Sequence, residues 1–172
     1  MQCSYNLTER NEFKGDFSMI KLVEINESNL QKVIALKVTN EQKKFVPSPA
    51  EILSRAWIYR NNNAVALAAV ENNEVVGLAL IYDLNEEPCC YFLMEMLVDY
   101  HHQNKGYAQQ MLKKIIEKYS QNPKYPVIEL SVDRTNYAAI HTYEKCGFVD
   151  SGYVDADLPH FINMTYKFNE QS

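Results

Sequence analysis

Between Tyr91 and Asp133 the hydrophobic period changes twice, and this limits the folds open to the chain. Tyr91–Val98 is a mostly apolar run, as expected of a strand buried on both faces. A polar turn, Asp99–Gly106, follows it. Next, Ala108, Leu112, Ile115, Ile116 and Tyr119 recur at helical spacing, while Lys113, Lys114, Glu117 and Lys118 take the opposite face. Pro123 and Pro126 close the connection, and Val127–Asp133 predicts another strand. Two strands joined through a helix lie parallel. The surrounding elements are joined by short turns, so the sequence predicts a mixed α/β domain. It has a mostly antiparallel central sheet, a parallel βαβ unit at its centre and flanking helices.

The other elements agree with that class. Ile20–Ile25 alternates as a strand. Ser28-Asn-Leu-Gln31 has the spacing of a capping box before a short helix. Ser48-Pro49-Ala50-Glu51 is a fuller start signal: a hydroxyl cap, proline in the first turn and a glutamate three residues on. Ala64–Val70 and Glu74–Tyr82 form a hairpin across Asn72-Asn73, since asparagine tolerates positive φ. Tyr137–Lys145 predicts a helix closed by Gly147, and Phe161–Phe168 a last strand.

With 172 residues, 47% of them apolar and 23% charged, the chain suits one domain, residues 19–172. The polar, patternless residues 1–18 are expected to be an upstream extension outside the fold. A charge of −5 and the lack of Lys/Arg clusters disfavour a nucleic-acid partner. The longest apolar run, Ala64–Val70, is too short to span a membrane. Cys3, Cys89, Cys90 and Cys146 form no CxxC pair, so no metal site is expected, and a reduced, cytoplasmic setting is.

The segment Met96-Leu-Val-Asp-Tyr-His-His-Gln103-Asn-Lys-Gly106-Tyr-Ala108 carries the chemistry. A strand running through a polar, glycine-containing loop into a helix gathers free N–H groups at the positive end of the helix, which makes an anion site. Gly106 permits close backbone approach, and Ala108 is small enough for a phosphate to lie beside it. Alone, Q-x-x-G-x-A is equally the mark of a plain left-handed turn before a helix. Some thirty residues on stands Asn136-x-x-Ala139-x-x-x-Tyr143-x-x-x-Gly147-Phe148.

The two motifs in this order resemble the GNAT superfamily of acetyl-CoA-dependent N-acetyltransferases, over roughly residues 93–148. The family commonly has glycine where this chain has Asn104, a residue that still reaches the left-handed region. The resemblance implies that the diphosphate of coenzyme A is held by main-chain amides along Gln103, Asn104, Lys105, Gly106, Tyr107 and Ala108. Lys105 either adds a charge contact or is a solvated loop lysine. Met96, Leu97 and Val98 would pair with the pantetheine arm along a strand edge that splays from its neighbour. Tyr143 resembles the family's general acid, whose phenol protonates the departing thiolate. Asn136 either touches the pantetheine or positions the substrate, or simply caps its helix. A backbone N–H of Leu97 or Val98 would meet the developing oxyanion.

The attacking amine must lose a proton to a base or a water chain; Glu95 is the candidate base, and is equally readable as a partly exposed edge carboxylate. Inside the apolar run Phe92-Leu-Met-Glu-Met-Leu-Val a carboxylate has no cheap structural role, and burial would raise its pKa usefully. With regular alternation it shares a face with Leu93 and Leu97. His101 and His102 lie on the phosphate side and are not expected to be catalysts. No cysteine stands in the motifs, so attack would be direct, in a ternary complex.

Gln42-Lys-Lys-Phe45-Val46, followed by the helix that reaches Ala56, resembles the bacterial spermidine/spermine (diamine) acetyltransferases. Glu41, Glu51, Asp83, Glu86 and Glu87 are acids at the expected mouth, each equally readable as a surface charge or, for Glu51, as part of the capping box. The expected partner is thus a small-molecule amine, most simply a polyamine. Rival acceptors are an aminoglycoside, a peptide N-terminus or a lysine. A non-catalytic acyl-CoA-binding module and a protein that binds another phosphate are the alternatives outside this chemistry. Relatives often form homodimers, and Phe161, Tyr166 and Phe168 could serve either the core or a partner.

Overall fold

The computed structural model describes residues 19–168; the expected extension, residues 1–18, lies outside them. One seven-stranded sheet runs in the order β1-β2-β3-β4-β5-β7-β6. Its strands are β1 (Lys21–Glu24), β2 (Val65–Glu71), β3 (Glu74–Leu84), β4 (Cys90–Val98), β5 (Val127–Asp133), β6 (Val149–Asp150) and β7 (Phe161–Lys167). The α-helices among the described residues are α1 (Leu30–Ile34), α2 (Pro49–Ile58), α3 (Tyr107–Ser120) and α4 (Tyr137–Lys145). Every pairing is antiparallel except β4 with β5, the parallel unit the sequence predicts.

Local signals act as expected at most turns. Asn72 and Asn73 take φ of 47° and 66°, which lets two residues reverse the chain between β2 and β3. At α2 the capping box is complete: Glu51 N–H donates to Ser48 Oγ at 3.4 Å, and Ser48 N–H donates to the Glu51 carboxylate at 2.8 Å. At α1 the expectation fails. The cap position is Asn29, whose side chain makes no cap bond to the helix. The Ser28 hydroxyl instead donates to Asn26 Oδ1, and Asn29 Oδ1 accepts from Asn26 N–H, so the two asparagines close a turn ahead of the helix.

Each sheet face has its own core. Val33, Leu36 and Ile52, from the α1–α2 side, pack on Ala68, Leu78, Leu80 and Leu97. Met111, Leu112 and Ile115 of α3 pack on Val76, Ala79, Ile81, Leu93 and Ile128, with Ala139 and Ile140 of α4 alongside. Truncating a fully buried side chain such as Leu112 to alanine costs about 2–5 kcal/mol. The terminal aromatics Tyr166 and Phe168 join this core, with ring centroids 5.6 Å from Phe148 and 6.2 Å from Tyr91 respectively.

Candidate active site

β4 pairs with β3 along its length but with β5 only at Tyr91–Ile128 and Phe92–Glu129. Beyond Phe92 the parallel strands part, and β5 continues along β7 to Asp133. The edge of β4 over residues 93–98 is therefore free of a strand partner, as the resemblance implies. A cleft of about 430 Å³ fills the gap. It runs from the loop before α3 to Phe45 and Val46 of the α1–α2 segment.

The backbone decides which groups face this opening. The Leu97 carbonyl lies on the β3 side, where a Cβ on Gly77 would stand 2.7 Å from it. The Val98 carbonyl faces away and accepts from the Gln103 amide at 3.0 Å. Strand alternation then turns the peptides of Met96 and Val98 toward the cleft and that of Leu97 toward β3. Of the two expected oxyanion donors, Val98 is the one so oriented.

A break in register places Glu95. Leu80 is opposite Glu95 but Ile81 is opposite Leu93, so Met94 is the extra residue of a β-bulge. This corrects the expectation of regular alternation. Leu93 packs in the α3 core, whereas Glu95 and Leu97 lie toward α2. The Glu95 side chain is only 10% exposed and forms an ion pair with Arg55 of α2. Burial pushes its pKa up to about 7, opposed by Arg55 and reinforced by Glu51.

Tyr143 lines the same cleft from α4, half-buried, with its ring tilted against Phe148 at 5.9 Å. Burial, then the charge of Glu95, pushes its pKa up to about 12. The phenol thus keeps its proton at neutral pH, while the carboxyl is poised to take one up. Environments that push two titratable groups apart in this way fit one to give a proton and the other to take one.

At the other end of the cleft, Asn104 and Gly106 take φ of 61° and 79°. Left-handed residues in such a loop turn N–H groups inward to form an anion-binding concavity. α3 then starts at Tyr107 with no side-chain cap, and Gln110 is the first amide to bond back, to Gly106 O at 3.1 Å. The first-turn amides therefore remain available, and no atom lies within 4 Å of where a Gly106 Cβ would be. These residues fit a diphosphate.

Not every side chain of the motif points there. Gln103 exchanges amide bonds with Gln42 at 2.8 and 3.2 Å, so it braces the loop against the α1–α2 segment. Tyr107 is buried, and its hydroxyl donates to the Glu71 carboxylate, leaving only its amide for the loop. Lys105 is exposed. Asn136 caps α4 by accepting from Ala139 N–H at 3.3 Å, as expected of a helix cap, and it also lines the cleft. The His101 ring lies tilted against Tyr100, and His102 sits beside Asp99 and Glu74 near the loop before α3. Asp83 departs from expectation. It is buried between Asn63 and Lys124 and is no part of the cleft wall, because a buried carboxylate needs such partners.

Arg55 and Gln42 matter here in ways the sequence did not reveal. Arg55 lies four residues after Glu51, the spacing of an ordinary surface pair, and nothing local points to Glu95 forty residues away. The only hint at Gln42 was its place in the Gln-x-x-Phe-Val segment.

A free strand edge leading into a main-chain anion cradle, with a phenol and a carboxyl at its inner end, defines a class: transferases that take an acyl group from a diphosphate-bearing thioester. The sequence model of the acetyltransferase (GNAT) family matches residues 30–148, and the chain belongs to that family, as an acetyl-CoA-dependent N-acetyltransferase. The spermine/spermidine N(1)-acetyltransferase of Bacillus subtilis (strain 168) is 26% identical over 141 residues, covering 79% of this chain and 91% of that one. The fold is similar to that of Vibrio cholerae spermidine N-acetyltransferase in complex with CoA and spermine, with a TM-score of 0.68 and 18% identity over 87% of this chain and 96% of that one. It is also similar to an aminoglycoside acetyltransferase in complex with coenzyme A, with a TM-score of 0.68 and 19% identity over 86% and 94%. Among the described residues no helix is long and apolar enough to cross a membrane.

Proposed function

We propose that the enzyme acetylates a primary amine of a polyamine such as spermidine or spermine, by direct attack in a ternary complex. Bound acetyl-CoA supplies the acetyl thioester. Amides of residues 103–108 hold its diphosphate, and the peptides of Met96 and Val98 align the pantetheine arm along the free edge of β4. Glu95, with a pKa near 7, accepts the proton of the incoming amine, directly or through a water molecule. The Val98 N–H meets the oxyanion, and Tyr143 protonates the leaving sulfur. Among the described residues no cysteine lines the cleft to carry an acyl group.

The observation that carries this assignment is the pairing of a largely buried carboxyl and a half-buried phenol at one cleft. Glu51 and Glu95 on the acceptor side and the polyamine-acetylating relatives favour a cationic acceptor. The test is thiol release from acetyl-CoA with spermidine, spermine, an aminoglycoside, a peptide N-terminus and a lysine peptide, compared at equal concentration. Fastest turnover with a polyamine is expected; no turnover of spermidine or spermine would overturn the assignment.

A further inference from the structure

We propose that Arg55 is an internal counter-cation of Glu95 that a cationic acceptor displaces, the guanidinium swinging to Glu51 as the acceptor arrives. This rests on Glu95 receiving the acceptor's proton.

The pair is lopsided. Glu95 is fixed in a bulged strand and 10% exposed, whereas the Arg55 side chain is 47% exposed at the end of a flexible arm. The cation can leave at little solvation cost; the carboxylate cannot follow it. A buried carboxylate without a partner is unfavourable, so while Glu95 is ionised a cation near it is favoured until the acceptor comes. An entering ammonium and the guanidinium repel each other at one carboxylate.

Arg55 has a place to go. Glu51 lies one turn earlier on α2, at the spacing at which opposite charges meet on a helix. Its carboxylate is held in place by Ser48 and does not itself reach Glu95 as a cation would. The charged and titratable groups around Glu95 are Arg55 and Glu51 from α2 and Tyr143 from α4, while β3 presents Leu80. Two carboxylates and one guanidinium leave one negative charge, which suits a cationic acceptor.

The test compares Arg55→Gln and Arg55→Lys with the parent enzyme. In Arg55→Gln the acidic limb of kcat/KM should move up by about one pH unit, since losing a cation favours the neutral carboxyl. Measured above that limb, the KM for spermidine should fall by roughly fivefold with the internal competitor gone. The KM for acetyl-CoA should not change, and Arg55→Lys should restore both values. An unmoved limb, or a rise in the spermidine KM, would overturn the proposal. With coenzyme A bound, adding spermidine should shift the ¹⁵N signal of the Arg55 guanidinium in the parent; a signal that stays put would also overturn it. If the parent acetylates no polyamine, the functional assignment fails by itself. The Glu95 carboxyl ¹³C titration in parent and Arg55→Gln then decides the pairing, and equal midpoints would sink it.

Discussion

The two ends of the cleft are built from different materials. The cofactor end consists of main chain: left-handed turns at Asn104 and Gly106, the uncapped start of α3 and the free edge of β4. The acceptor end consists of side chains: Glu95 brought to α2 by a bulge, Arg55 beside it and Tyr143 opposite. A backbone cradle tolerates most side-chain changes so long as the dihedral angles survive. A side-chain site fails when one functional group is lost. Substitutions at the two ends should therefore separate cofactor binding from chemistry.

The largest effect is expected at Tyr143. Tyr143→Phe should lower kcat by about 10²-fold or more with acetyl-CoA binding unchanged, as stopped-flow turnover and calorimetry would show. Loss of cofactor affinity instead would move this residue to the other end of the comparison. Glu95→Gln should lower kcat/KM by about 10²-fold and remove the fall in rate below about pH 7. The sign for stability is opposite to that of a typical carboxylate. Because burial raises its pKa above the unfolded value of 4.5, Glu95 favours folding at low pH, and this contribution is lost as pH rises through about 7. The difference in Tm between Glu95→Gln and the parent should accordingly grow in favour of the variant from about pH 4.5 to about pH 7 and level off above that.

At the cofactor end the effects are smaller and of another kind. Gly106→Ala places an L side chain at φ 79°, costing about 1–2 kcal/mol, so acetyl-CoA should bind roughly tenfold more weakly. The spermidine KM measured at saturating cofactor should stay as it was; a change there would break the separation. Lys105→Ala is the mildest change. An exposed lysine adds one screened charge to a cradle of amides, and about twofold weaker binding at low salt, vanishing at high salt, is expected.

The same division explains what the sequence made legible. Main-chain features leave local marks: the Asn-Asn hairpin, the Ser48–Glu51 box, the glycine loop before α3 and the bounds of β5 and α4 could all be read from neighbouring residues. The mixed sheet followed from one strand–helix–strand unit. The bulge at Met94 left no mark, because Phe92-Leu-Met-Glu-Met-Leu-Val is apolar on both faces and does not change pattern when one residue is added. The Arg55–Glu95 pair and the Gln42–Gln103 brace join residues 40 and 61 positions apart, a separation that no local pattern encodes. At α1 the Ser28 hydroxyl is taken up by Asn26, so the box its spacing suggests does not form. The two-residue β6 is too short to show any period.

The most direct test of the cradle is a crystal structure of the enzyme grown with acetyl-CoA. The cofactor's paired phosphates should accept from peptide N–H groups in the turn before α3, and the sulfur should sit next to the Tyr143 hydroxyl. Phosphates bound elsewhere, or a sulfur out of reach of that hydroxyl, would contradict the account.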